Sequence, residues 1–103
     1  MGEDSFKATQ LSVFLENRAG RLAEVIHCLA SAGINLRAIS LADTSDFGIL
    51  RIMVTDPDKA EAELKKRSFT TGRTAVVAVE LPDKPGSLDN LLCLLSEAGI
   101  NVE

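Results

Sequence analysis

The sequence predicts an α+β fold in which two helices cover one face of an antiparallel sheet, in the order β-α-β-β-α-β, followed by the start of a second such unit. Two observations carry this prediction. Apolar residues alternate in some segments and recur at helical spacing in others, and the segments follow one another in that order. In addition, residues 82–101 (PDKPGSLDNLLCLLSEAGIN) repeat residues 16–35 (ENRAGRLAEVIHCLASAGIN) at a shift of 66 positions.

The first strand and the first helix are distinguished by a change in the spacing of their apolar residues. The odd-numbered residues from Leu11 to Leu15 are apolar and the even-numbered ones are mixed, which predicts a strand over residues 10–15. After a loop over residues 16–20, apolar residues recur at helical spacing as far as Ala32. Gly33 then stands where a helix usually ends in a left-handed C-cap.

The central part of the chain predicts a hairpin and a second helix. Residues 34–42 and 48–55 are rich in branched apolar residues and flank a polar turn cluster, which is typical of a β-hairpin. Asp56 and Pro57 then predict a helix start, since Asp is a favourable N-cap and Pro suits the first turn. This helix is expected to run to about Arg67 and to lie on the surface, because few of its residues are apolar.

The last third of the chain belongs to both copies of the repeat. Residues 69–81 are predicted to be extended, and at the shift of 66 residues 77–81 fall on residues 11–15. The segment is therefore expected to be the first strand of the second copy, and it is also the remaining candidate for the last strand of the first. A helix over residues 88–98 and a strand starting at Ile100 should follow. We predict a first domain over residues 8–74 and a partial second domain over residues 75–103.

The amino-acid composition argues against several classes of function. The formal net charge is -4, and the chain has four Phe, no Trp and no Tyr, so neither a basic face nor a stacking platform for nucleic acid is expected. No apolar run is long enough to predict a membrane span, and the first residues contain no apolar signal segment. Cys28 and Cys93 form no metal-binding spacing. We expect reduced thiols, a cytoplasmic protein, and neither a metal nor a cofactor.

The order of elements is that of the ferredoxin-like arrangement. Within it, the Asn-Arg-Ala-Gly loop before Leu22, the Gly-Ile-Asn exit from the helix, and the second copy of these features resemble the ACT domain family. The family consists of small ferredoxin-like modules that bind amino acids, and the layout is similar to that of small stand-alone tandem ACT proteins. The resemblance spans nearly all of residues 8–103. It implies a ligand at an interface between modules, touching the first strand–helix loop and the Asn that opens the second strand.

Position by position, the resemblance and the neighbouring loop residues give a predicted ligand site in each copy. The first site comprises Asn17, Arg18, Ala19, Gly20, Arg21, Leu22 and Asn35. The second site comprises Asp83, Lys84, Pro85, Gly86, Ser87, Leu88 and Asn101.

The sequence departs from the family pattern in three places. Ala19 stands where many members have Pro, Leu15 stands where some have His, and Asp83 replaces the loop Asn. These departures leave the identity of the ligand open, and the two copies need not bind equally.

The predicted site residues suit a zwitterion. The N-terminus of a helix offers unpaired N–H groups and partial positive charge to a carboxylate, glycine lets a ligand approach the backbone, and Asn carries both a donor and an acceptor. Each residue also has a plainer interpretation. Gly20 and Gly86 could serve a tight turn, Asn35 and its counterpart could cap the preceding helix, and the charged residues of the loops could be solvated surface.

Two apolar surfaces predict a partner. Residues 91–95 (LLCLL) make the last helix apolar almost all round, and the third strand is apolar on both sides. We expect a homodimer or higher assembly with ligand sites at the contact. The leading hypothesis is a non-catalytic amino-acid-binding regulatory module with an unidentified target enzyme. The alternative is a protein–protein assembly module without a small-molecule ligand. An enzyme is disfavoured because no nucleophile–base pair, metal cluster or phosphate loop is present in the sequence.

Overall fold

Residues 5–44 and 46–102 of the protein are described by a computed structural model. Seven elements follow one another along the chain: β1 (Ser5–Glu16), α1 (Arg21–Ser31), β2 (Leu36–Asp43), β3 (Phe47–Val54), α2 (Pro57–Lys66), β4 (Thr70–Val79) and α3 (Ser87–Glu97). The chain divides into two compact units. The larger unit is residues 8–76, and the described part of the smaller unit is residues 5–7 and 77–102.

The strands form one four-stranded sheet in the order β2-β3-β1-β4. β3 pairs antiparallel with both β1 and β2. Leu11 lies opposite Ile52 and Leu15 lies opposite Gly48 across the first pair, whereas β2 carries an irregularity near its start. This order and these directions confirm the predicted α+β, ferredoxin-like fold.

The core of the larger unit lies between the sheet and the helices α1 and α2. Alternate residues of β1 and β3 face the helices. Helix α1 adds three buried residues, of which Val25 and Leu29 belong to its predicted apolar stripe. Burying an aliphatic side chain contributes about 1.5–3 kcal/mol relative to leaving it exposed, so this layer stabilises the unit. The buried residues are Leu11, Val13, Leu15, Val25, Cys28, Leu29, Ile34, Leu50, Ile52, Val54, Ala60, Leu64 and Phe69.

Helix α2 begins as its sequence predicts. The side chain of Asp56 accepts a hydrogen bond of 3.2 Å from the backbone N–H of Lys59, and Pro57 occupies the first turn. Ala60 and Leu64 are its buried residues, which confirms the expected surface helix. On its outer side, Asp58 accepts a hydrogen bond from Arg73 of β4 and thereby raises the pKa of that guanidinium.

Two boundaries differ most from the predictions. β1 begins at Ser5 rather than at residue 10; the extent of a strand depends on a hydrogen-bonded neighbour, which side-chain alternation does not report. Residues 100–102 form no β-ladder, although a strand was expected to begin at Ile100. Glu103, the last residue of that expected strand, lies outside the described residues.

Helix α3 belongs to the smaller unit and differs from α1 in burial. None of its side chains is buried in the described part of that unit, and Leu88 and Leu94 are more than half exposed. Among the described residues, α1, α2 and α3 are each too short to cross a membrane as an apolar helix.

Candidate functional site

The loop between β1 and α1 closes on itself before the helix begins. The backbone N–H of Arg18 donates to the carbonyl of Glu16 over 2.8 Å, and the N–H of Arg21 donates to the carbonyl of Arg18 over 3.4 Å. The N–H of Glu24 then donates to the carbonyl of Gly20 over 3.0 Å as the first bond of the helix. Gly20 is the N-cap of α1 and has φ 87°, a left-handed conformation that glycine adopts readily. No side chain in the described part of the chain caps this helix, so its first N–H groups have no side-chain acceptor.

The loop before α3 has the same backbone geometry. The N–H of Lys84 donates to the carbonyl of Pro82 over 2.9 Å, and the N–H of Asn90 donates to the carbonyl of Gly86 over 2.9 Å. Gly86 has φ 91°, close to the value at the first loop. The two repeated sequences therefore give their loops the same backbone conformation and equivalent local backbone hydrogen bonds.

The two helices also end alike. Gly33 has φ 74° and Gly99 has φ 73°, which confirms the predicted left-handed C-cap of the first copy. The N–H of the following Ile donates back to the helix in each copy, over 3.0 Å from Ile34 and 2.9 Å from Ile100.

A depression of about 90 Å³ opens beside the first loop, and we call it the loop cleft. Its floor belongs to the helix-facing side of the sheet, because Leu15 lies opposite Gly48 and Leu41 lies opposite the buried Leu50. Gly48 contributes no side chain at that point. The lining residues are Leu15, Glu16, Asn17, Arg18, Arg21, Leu22, Leu41 and Gly48.

Arg21 is the most firmly held cation of the loop cleft. Its guanidinium lies 4.4 Å from the centre of the Phe69 ring, and its Nη1 lies 2.5 Å from Oε2 of Glu24. The side chain is only 17% exposed, and its Nε is buried without a hydrogen-bond partner among the described residues. The interpretation of Arg21 as solvated surface is therefore wrong, because the guanidinium packs on an aromatic ring.

Asn17 and Arg18 have local partners in the loop. The backbone N–H of Asn17 donates to the carbonyl of Asp46 over 2.9 Å, and its Nδ2 donates to the carbonyl of Thr44 over 3.3 Å. Asn17 thus ties the first loop to the β2–β3 hairpin. Arg18 is exposed and pairs with Glu16 over 3.2 Å.

Asn35 lies at the other end of the first copy. It follows α1, whose 11 residues span about 16 Å at 1.5 Å per residue. Its backbone bonds to Thr55 at the end of β3, and it is exposed. Asn35 and the loop cleft of the same unit are therefore too far apart to contact one small ligand.

The remaining predicted residues fall into two groups. Ala19 and Gly20 are exposed in the first loop but do not line the cleft. Residues 83–88 form the second loop and the first turn of α3, and Asn101 is exposed beyond the far end of that helix. In the second copy, Ser87 replaces Arg21, and its Oγ is buried with no partner among the described residues.

The sequence predictions missed four residues of the cleft: Leu15 as a lining residue, Glu16, Leu41 and Gly48. Leu15 directly precedes the predicted loop, and Glu16 is the first residue of that loop. Gly48 could have been found, because it stands at an inward position of the third strand, whose other inward residues are apolar. A glycine inside a strand often marks a point of close approach.

A second depression, of about 210 Å³, lies beside Arg21 as well. Two exposed aromatic side chains, Phe14 and Phe47, contribute to its lining together with Ser68 and Thr70. It is the larger of the two, but Asn17, Arg18 and Leu22 line the loop cleft and not this depression. The loop cleft is therefore the candidate site.

Comparison with known proteins assigns the family. The model of the family described as "ACT domain pair" matches residues 6–103. The chain belongs to the ACT domain family and is a regulatory module of that kind. A search of the curated proteins found no match.

Solved structures agree with this family. Protein BT0572 from Bacteroides thetaiotaomicron is 47% identical, with a TM-score of 0.89 over 94% of this chain and 67% of that one. The ACT domain of prephenate dehydrogenase from Bacillus anthracis is 25% identical, with a TM-score of 0.54 over 61% of this chain and 99% of that domain. The regulatory subunit of aspartate kinase from Thermus thermophilus shares the fold at 18% identity, with a TM-score of 0.64 over 93% of this chain and 73% of that one.

Proposed function

We propose that this protein is a non-catalytic regulatory module that binds a free amino acid in the loop cleft, with the α-carboxylate at the N-terminus of α1. The observation that carries the proposal is the uncapped helix start behind Gly20, next to a cleft lined by Arg21. Unpaired N–H groups and the partial positive charge of a helix start attract a carboxylate.

Charges around the cleft are arranged for a zwitterion. Arg21 adds a fixed positive charge at the first turn of α1, held by Phe69 and Glu24. Glu16 lines the cleft from the end of β1 and provides a carboxylate for the α-ammonium group. The two ends of a bound amino acid thus have oppositely charged neighbours within one small depression.

The loop cleft is one wall of a site rather than a closed pocket. Small-molecule pockets usually enclose about 300–1,000 Å³, whereas this depression measures about 90 Å³. Beside it, β2 is an edge strand, and Ile39 and Leu41 on its helix-facing side are 54% and 50% exposed. An exposed apolar edge of this kind favours pairing with another strand.

We propose that a second copy of the module completes the site. Two β2 edges that pair about a two-fold axis run antiparallel, and the start of one β2 then lies beside the end of the other. This arrangement brings Asn35 of the second copy toward the loop cleft of the first. It also covers Ile39 and Leu41.

A thermal-shift screen of all twenty amino acids tests the proposal. A ligand at 100 times its Kd stabilises the folded state by about 2.7 kcal/mol, so at least one amino acid should raise the melting temperature clearly. Asn35→Ala should reduce the shift. Asn90→Ala, which also removes an exposed asparagine, is the matched control and should not.

A second candidate function is assembly without a small-molecule ligand. The exposed leucines of α3 and the apolar side of β2 favour it, since such surfaces mark protein contacts. A well-folded sample that forms dimers in sedimentation experiments, and whose melting temperature responds to none of the twenty amino acids, would establish this alternative and contradict ligand binding.

A further inference from the structure

We infer that the ligand of the loop cleft is an amino acid with an aliphatic side chain, and that this side chain lies on a floor made by Leu15, Leu22, Leu41 and Gly48. The inference rests on the proposed function and adds the chemical class of the ligand.

The lining of the loop cleft is divided by polarity. Its charged and amide groups come from the loop and from the first residue of α1: Glu16, Asn17, Arg18 and Arg21. Its other half is apolar and comes from the sheet and from Leu22 on the helix. A zwitterionic head bound by the first half leaves its side chain facing the second.

The floor offers nothing to a polar side chain. The side chains of Leu15, Leu22 and Leu41 carry neither a donor nor an acceptor, and Gly48 has no side chain. Leu15 is 4% exposed and Gly48 is buried, so these two residues are largely shielded from water. A hydroxyl or carboxylate placed there would lose its water without gaining a hydrogen bond.

Gly48 tests the floor. It lies inside β3, paired with Leu15, where the backbone is extended, a conformation that alanine also adopts. A Cβ at residue 48 would point to the same side of the sheet as the side chain of Leu15 directly opposite. That methyl group would occupy the space that we assign to the side chain of the ligand.

The inference predicts a graded affinity series. Each methylene group moved from water onto an apolar surface contributes about 0.8 kcal/mol, which corresponds to about a fourfold gain in affinity. Affinity should therefore rise about fourfold per carbon from alanine through 2-aminobutyrate to valine.

Isothermal titration calorimetry on the full chain tests the inference. Valine and threonine have the same shape, so the inference predicts that valine binds about ten to a hundred times more tightly. Gly48→Ala should weaken valine about tenfold or more and leave alanine within about twofold. Gly72→Ala is the matched control, since its added Cβ meets nothing within 4 Å, and it should alter neither affinity.

The outcomes of these titrations distinguish a failure of the aliphatic-ligand inference from a failure of the proposed amino-acid binding. Threonine, serine or aspartate binding as tightly as valine would overturn the inference and leave the proposed function standing. Equal weakening of valine and alanine by Gly48→Ala would also overturn it. No binding of any amino acid to the folded chain would overturn both. Should Gly48→Ala fail to fold, Leu41→Ser at an exposed position replaces it and is expected to lower the ratio of valine to threonine affinity.

Discussion

The first loop (residues 16–20) and the second loop (residues 82–86) share one backbone conformation but differ in their surroundings. The first stands beside the helix-facing side of β1 and β3, and Asn17 ties it to the β2–β3 hairpin. In the described part of the smaller unit, no such hairpin accompanies the second loop. The loop geometry is therefore local, since it is set by glycine and by hydrogen bonds between residues close in sequence. The cleft, in contrast, depends on the sheet.

The helices that follow the two loops likewise share local features and differ in how deeply their apolar residues are buried. Val25 and Leu29 of α1 are at most 1% exposed, while their counterparts Leu91 and Leu95 of α3 are half-buried. Both helices carry the same apolar stripe and the same caps. The difference lies in the sheet that covers the first stripe.

The largest expected effect is a loss of stability when the packing around α1 is disturbed, compared with the same kind of change on α3. Leu50→Ala removes a fully buried side chain from the sheet beneath α1, and truncations of this kind lower the free energy of unfolding by about 2–5 kcal/mol. Leu94→Ala, at a position of α3 that is 63% exposed, should change it by less than about 0.5 kcal/mol. Urea denaturation followed by circular dichroism measures both. Equal losses would show that α3 is as well covered as α1.

The next effect concerns the loops themselves. Gly20→Ala and Gly86→Ala each place a side chain at a positive φ, which costs about 1–2 kcal/mol, and the two φ values are nearly equal. Both substitutions should therefore lower the local stability of their helix starts by similar amounts. Hydrogen exchange of the first-turn amides measures this for each loop separately. A large effect at one loop and none at the other would refute a purely local origin of the conformation.

The smallest expected effect comes from a substitution that makes the first loop resemble the second. Asn17→Asp introduces the residue found at the equivalent position 83 and removes the hydrogen bond from Nδ2 to the Thr44 carbonyl. An exposed hydrogen bond contributes about 0.5–1.5 kcal/mol, so the ligand-free melting temperature should fall by a few degrees. Differential scanning calorimetry measures the change. Asp83→Asn, the reverse substitution, is the control and should leave the melting temperature nearly unchanged.

Local patterns predicted most of the fold. The left-handed cap at Gly33, the N-cap at Asp56 and the order of elements depend on residues close together in sequence, and the structure has them as predicted. The start of β1 at Ser5 was missed because it depends on pairing with a distant strand.

The candidate site was only half predictable for the same reason. Its loop side follows from one stretch of sequence, whereas Leu41 and Gly48 reach it through the register of β2 on β3 and of β3 on β1. The distance between Asn35 and the first loop could have been foreseen, since a helix of 11 residues separates them.

The central claim is that the start of α1 receives the carboxylate of an amino acid. Backbone amide shifts during an NMR titration with valine, compared with valinamide, test it most directly. Valine should move the amides of Gly20, Arg21, Leu22 and Ala23, and valinamide, which lacks the carboxylate, should not. Equal responses to both compounds, or shifts confined to residues outside the loop cleft, would contradict the claim.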